Sequence, residues 1–338
     1  MSMPTTDPHA CFDGERIPRL GMGGWAIGGP FTAGGAALGY GGPIDDREST
    51  RAIHAAVERG IRYFDTAGAY GAGHGERLLG AALAGRPDVF LSTKIGLAFD
   101  EGSRTILGEE AGTGSVAGAI DAALGRLRRE RIDLLFLHLN ALPAERAGPL
   151  FDEMERAVAA GKLRAYGWST DFADRVEAVA ARPHFGAVQH AMNVFFSAPV
   201  ILPVIERHAL LSVARSPLAM GLLTGKYDAD SVLPPDDVRG NDFDWNGAFR
   251  NGRVREERVG ALAAIGECLR SGGRTTAQGA LAWLWARSPG TVPICGFGNV
   301  EQVEQNAAAL GFGALPDDVM AEIETLVDRS GEHEQRER

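Results

Sequence analysis

Residues 61–71, IRYFDTAGAYG, run from a short apolar segment into Asp65 and then into a glycine-flanked loop carrying Tyr70. The same unit returns along the chain: an apolar run, a loop, then an amphipathic segment of helix length. RLGMGG (19–24), IRYFD (61–65), VFLSTKI (89–95), IDLLFLHL (132–139), LRAYGWS (163–169), GAVQH (186–190), LLSVARS (210–216) and TVPIC (291–295) supply eight strand-like runs. Between them lie helical segments such as DRESTRAIHAAVERG and ERAGPLFDEMERAVAAG, which end in glycine as helix C-caps do. Strands that alternate with helices form parallel sheets, and eight such units predict a closed (β/α)8 barrel of the TIM type.

The barrel is expected over residues 11–330, after a disordered N-terminus (1–10) and before a charged, frayed tail (331–338). At its start, ACFDGERIPRL has a DG turn between two extended runs, which predicts a β-hairpin. Two segments break the rhythm: the glycine-rich stretch 26–45 after strand one, and residues 217–252 after strand seven. Both follow strands, so both fall at the C-terminal mouth, where barrel active sites are built. Their aromatic residues, Phe31, Tyr40, Phe243, Trp245 and Phe249, suit the covering of a pocket better than idle surface.

The 338 residues carry 34 basic and 44 acidic side chains, a net charge of −10, and no basic stripe. Nucleic acid and anionic membranes are therefore poor partners. No stretch approaches the roughly 20 apolar residues of a membrane span, and MSMPTTDPHA has neither the basic start nor the apolar core of a leader. The three cysteines, Cys11, Cys268 and Cys295, are scattered and form no CxxC. A reducing, cytoplasmic setting fits them best. No HxH or HExxH spacing is present, so no metal is expected. GMGGWA (21–26) matches a dinucleotide fingerprint, but IGGPF follows it where a helix would have to begin. A dinucleotide would have to bind elsewhere.

The informative residues are polar groups that close apolar strands. Asp65 closes the second, Lys94 the third and His138 the fourth, and in a barrel these strands are neighbours. Each has an ordinary alternative: a helix cap for Asp65, a solvent-reaching strand end for Lys94, a core histidine for His138, packing for Tyr70. Convergence of all four on one mouth favours chemistry. An ordinary tyrosine has a pKa of about 10, and an ammonium beside it stabilises tyrosinate and lowers that value. An aspartate keeps the lysine charged and aimed, and a histidine can orient an oxygen held by the tyrosine. Such a site exchanges a proton with a carbonyl or alcohol oxygen while a carried nicotinamide handles the hydride.

FDTAGAYGAGHGERLLG, STKIG, RIDLLFLHLN, GKLRAYGWST, SPLAMGLLTGKY and EQVEQN, in that order, resemble the successive signatures of the aldo-keto reductase family across residues 15–328. The resemblance implies a (β/α)8 barrel that interconverts small-molecule carbonyls and alcohols with NADP(H) or NAD(H). It makes Tyr70 the general acid or base, Lys94 and Asp65 its tuning pair, and His138 the carbonyl-orienting residue. It also assigns Ser169, Thr170 and Gln189 to the nicotinamide amide. Ser216, Leu218, Gly221, Leu223, Gly225 and Lys226 fall on the loop crossing the pyrophosphate, and Gly24 on the first-strand turn. Gly296, Asn299, Gln302, Gln305 and Asn306 fall at the adenine and ribose end, while Trp25, Phe31 and Trp245 wall the substrate pocket.

Two positions depart from the family pattern. Arg215 stands where many members stack an aromatic on the nicotinamide. Gly298 stands near the usual cation for a 2′-phosphate, and no lysine or arginine occurs between Thr291 and Gly313. The second departure favours relaxed specificity or an NAD-linked dehydrogenase of a sugar or pyridoxal-like aldehyde. A non-catalytic subunit that senses bound cofactor is the remaining alternative. His74 is read as a loop contact, Glu76 as support for a helix's first turn, and Cys295 is given no chemistry. Substrate, physiological direction and oligomeric state are open at this level.

Overall fold

The computed structural model describes residues 9–337 except Asp13. The expected disordered start thus lies outside the described residues as far as residue 8, as does Arg338 of the tail. All eight predicted strands form, as Gly21–Gly23, Tyr63–Asp65, Phe90–Ile95, Ile132–Leu137, Leu163–Ser169, Phe185–Ala191, Leu211–Arg215 and Thr291–Gly296. They pair in parallel in chain order, and the eighth returns to the first, so the sheet closes on itself. Helices between them, among them Asp46–Glu58, His74–Ala82, Ser115–Leu127, Ala144–Ala159 and Thr276–Arg287, pack apolar faces on the barrel.

The strands read as near-continuous apolar runs because both of their faces are covered. Tyr63, Phe90, Leu134, Phe136, Val213 and Val292 fill the interior as a cluster of their own. The expected hairpin, His9–Phe12 with Glu15–Pro18, joins this cluster through Phe12 and Ile17. Phe12 meets Phe90 edge-on at 5.5 Å. Gly186 makes room for it, since a Cβ there would stand 2.9 Å from the Phe12 ring. The hairpin therefore plugs the N-terminal end and leaves the C-terminal mouth for chemistry.

Three loops build over that mouth, one more than expected. After strand three, Leu97–Asp100 and Thr105–Glu109 form an antiparallel hairpin. Thr32–Ala33, from the loop after strand one, adds to it in parallel. The long segment after strand seven meets the first loop through Asp237, which accepts from the Gly41 amide at 3.0 Å and is gripped by Arg239 at 2.8 and 2.7 Å. Arg239 lies over the Tyr40 ring, 4.8 Å from its centroid.

One residue of the charged tail is anchored to the barrel. Glu332 is buried, accepting from the Ser197 amide (2.9 Å) and hydroxyl (2.7 Å) and pairing with Arg329 at 2.8 Å. A carboxylate with three donors has no reason to leave. Among the described residues, no helix is long and apolar enough to cross a membrane.

Phe12 tests the plug. Phe12→Ala should lower the unfolding free energy by about 3 kcal/mol, measured by urea titration. Any activity should be retained below the new midpoint, because the mouth lies at the other end.

Candidate active site

Parallel pairing sets the first geometry. Asp65 stands level with Gly23 on one side and Ser92 on the other, and Lys94 is two residues further along the third strand. Both side chains are buried. Lys94 Nζ donates to Asp65 Oδ2 (2.5 Å), to the Thr66 carbonyl (2.7 Å) and to the Tyr70 hydroxyl (3.2 Å). Asp65 Oδ1 accepts from Ser92 Oγ (2.7 Å) and Gln189 Nε2 (2.9 Å). The predicted tyrosine, lysine and aspartate thus form one hydrogen-bonded chain.

Tyr70 is delivered by a loop that only its glycine permits. Gly71 has φ +61°, and a Cβ there would fall 1.7 Å from the Gly28 carbonyl oxygen. His138 follows the fourth strand, its amide bonded to Ile95 O at 2.7 Å, and its ring meets Tyr70 edge-on at 6.1 Å.

Burial pushes the Tyr70 hydroxyl above its ordinary range, outweighing Lys94, which pulls the other way. The expectation of a lowered tyrosine pKa is corrected on this point: the phenol loses more hydration in the barrel mouth than one ammonium returns. Burial opposes the charge on Lys94, but Asp65 and Tyr70 more than compensate and raise its pKa. His138 is lowered to about 3, by burial first and then by Lys94 and Arg215. At neutral pH the site holds a protonated tyrosine, a charged lysine and a neutral imidazole.

Asp65, Tyr70 and His138 face a cavity of about 1040 Å³, large enough for a dinucleotide together with a small substrate. Its wall includes Asp65, Tyr70, His138, Ser169, Gln189, Arg215, Ser216, Leu218, Gly221 and Lys226. Gly296, Gly298, Asn299, Gln302, Gln305 and Asn306 line it too, as do Trp25, Phe31 and Trp245. Trp25 stacks on Tyr70 at 5.9 Å and meets Tyr40 and Trp245 at 5.4 and 6.2 Å.

Four expected cofactor positions are not brought to this wall. Thr170 turns away, its hydroxyl donating to Asn140 O at 2.7 Å and accepting from the Phe172 amide at 3.2 Å. Leu223 is packed in the core, Gly225 lies beside Thr276, and Gly24 donates its amide to Asp65 O at 2.7 Å. Phe249, expected over the pocket, is buried against Tyr227 instead.

The family model described as the aldo/keto reductase family matches residues 19–328. The chain belongs to that family. It is similar to aldo-keto reductase YhdN of Bacillus subtilis, 26% identical over 325 residues, covering 94% of this chain and 92% of the relative. A probable aldo-keto reductase 1 of Glycine max is 28% identical over 306 residues, 88% of this chain and 82% of that protein. Among solved structures, the glycerol dehydrogenase of Gluconobacter oxydans superposes with a TM-score of 0.78 at 27% identity, covering 99% of both chains. An aldo-keto reductase of Klebsiella pneumoniae solved with NADPH has the same fold, with a TM-score of 0.70, 24% identity and coverage of 98% of this chain and 97% of that one.

As an aldo/keto reductase the chain is an oxidoreductase of the carbonyl and alcohol class. Its site also holds residues that strand-end reasoning did not single out. Asp171, buried, accepts from Asn140 Nδ2 (2.9 Å) and the Ala191 amide (2.8 Å), and it pairs with Arg215. That pairing offsets the cation standing in the aromatic's place. Glu76 does more than support its helix: buried, it accepts from Thr93 Oγ1 and Arg126 Nε, both at 2.6 Å, and ties the helix to the strand carrying Lys94. His74, expected to make a local loop contact, reaches instead to Asp46 at the start of the helix Asp46–Glu58, at 2.9 Å. Asp171 directly follows the quoted GKLRAYGWST, a position that strand patterning alone does not mark.

His138 provides a pH test. Its pKa is about 3 in the fold against 6.5 in the open chain. Between those values the unfolded state binds the extra proton. The contribution of the neutral ring is therefore complete above pH 6.5 and is lost as pH falls toward 3. Wild-type unfolding free energy should fall more steeply on acidification than that of His138→Gln, by at most about 1.4 kcal/mol per pH unit. Equal slopes in denaturant melts would mean that water reaches the ring.

Proposed function

We propose that this enzyme reduces an aldehyde or ketone, or oxidises the matching alcohol, with a nicotinamide dinucleotide and with Tyr70 as the proton-transferring residue. The observation that carries the reading is the hydrogen-bonded Asp65–Lys94–Tyr70 chain opening on a cavity that also receives His138.

The residues present fit the cofactor. Ser169 and Gln189 face each other in register on strands five and six. Among the described residues, neither Ser169 Oγ nor Gln189 Oε1 has a protein partner, although both residues are nearly buried and line the cavity. One acceptor and one hydroxyl suit a carboxamide. The bound dinucleotide would supply or accept hydride at the substrate carbon. Arg215, Ser216, Leu218, Gly221 and Lys226 would hold its middle, and Asn306 and Gln305 its far end. The Klebsiella pneumoniae structure with NADPH supports a nicotinamide cofactor.

Tyr70 would donate its proton to the substrate oxygen in reduction. Lys94 would stabilise the tyrosinate left behind, and Asp65 would hold the ammonium in place. His138, kept neutral, would donate a hydrogen bond to the same oxygen. Trp25, Phe31 and Trp245 would exclude water and present an apolar wall to the carbonyl.

A second reading is alcohol oxidation with NAD. It is favoured by the turn at Gly298, which carries no cation, and by the likeness to a glycerol dehydrogenase.

Tyr70→Phe should lower kcat/KM by about 10²–10⁴ with either cofactor while leaving its dissociation constant nearly unchanged. Reduction should be flat through neutral pH and fall only above about 10, the ordinary tyrosine value, because burial holds the phenol protonated. Oxidation should rise with pH over the same range. Loss of cofactor binding along with turnover would contradict the role given to Tyr70.

A further inference from the structure

The turn that leads from strand eight into the helix Val300–Ala308 has its amides occupied by side chains. Gly298 N donates to Gln302 Oε1 (2.8 Å), and Gln302 N donates to Asn299 Oδ1 (2.9 Å). The third partner comes from far away in sequence. Glu48, in the first turn of the helix after strand one, accepts from Val300 N at 3.1 Å through Oε1. Its Oε2 is gripped by Arg51, with Nε at 3.0 Å.

Glu48 lines the cavity beside Gly298, Asn299 and Gln302, whereas Arg51 does not. Their side chains are 26% and 66% exposed, so the acid is the inner member of the pair. A negative group arriving at this end of the cavity meets a carboxylate before it meets a cation. Oε2 takes both Nε and Nη2 of Arg51, and Oε1, with the Val300 amide as its one donor, keeps a further lone pair for a hydroxyl. In other dinucleotide sites, an acidic side chain that accepts from a ribose 2′-hydroxyl favours NAD, and a nearby arginine accommodates the 2′-phosphate.

We propose that Glu48 is the specificity-determining residue for the dinucleotide, selecting the unphosphorylated ribose of NAD(H) over the 2′-phosphate of NADP(H). It acts twice: its charge repels the phosphate, and its ion pair keeps Arg51 from serving as the missing cation. The inference rests on the reading that the cavity takes a nicotinamide dinucleotide.

The test is calorimetric titration of the substrate-free protein with NAD⁺ and with NADP⁺, using wild type, Glu48→Gln, Glu48→Ala and the double variant Glu48→Gln, Arg51→Ala. Thermal melts by circular dichroism confirm that each variant is folded. Wild type should bind NAD⁺ more tightly by about tenfold or more, a difference of about 1.4 kcal/mol. Glu48→Gln should shrink that ratio at least about tenfold, mainly by tightening NADP⁺, and removing Arg51 should take the gain back. A wild-type preference for NADP⁺, or an unchanged ratio in both folded Glu48 variants, overturns the proposal while leaving dinucleotide binding intact. Wild type that binds neither dinucleotide overturns the reading of the cavity and this inference together.

Discussion

The molecule is organised around one buried ion pair, Asp65 with Lys94. An ammonium has three protons, and here all three find acceptors: a carboxylate, a backbone carbonyl and a phenol. The carboxylate is filled in turn by Ser92 and Gln189. Removing one member of such a pair leaves the other charge buried, a loss of about 3–5 kcal/mol. The full set of partners comes from strands two, three and six and from the Tyr70 loop. Their relative heights in the barrel are therefore constrained by a few hydrogen bonds at its centre. Glu76 repeats the device on the outer face of strand three, where it fastens Thr93, the residue before Lys94.

The barrel and the four central residues were legible because both leave local marks. An apolar run short enough to be a strand, closed by one polar residue, can be read without knowing its neighbours. All eight such runs became strands, and their four polar companions met. What was not legible depends on contacts between distant segments. The hairpin Leu97–Glu109 stands over the mouth partly because Thr32–Ala33 pairs with it. Asp171 matters because Arg215 and Asn140 arrive beside it.

Thr170 lies just past the end of strand five, and its hydroxyl is turned toward the Asn140 carbonyl while Ser169 lines the cavity. The tyrosine was misjudged on magnitude rather than on place: Lys94 does lower its pKa, but burial raises it more.

The amide of Gln189 joins the two tasks of the site. Its nitrogen is committed to Asp65, and its oxygen is the part it offers to the cavity. Hydrogen bonds in series polarise one another. A ligand that donates to that oxygen therefore strengthens the pull of the N–H on Asp65, and through Asp65 it alters the lysine that supports Tyr70. Coupling between two events is reciprocal in free energy. Occupancy of the cavity and the acidity of the phenol are consequently linked through a single side chain, so a protein filled with ligand is a different acid from an empty one.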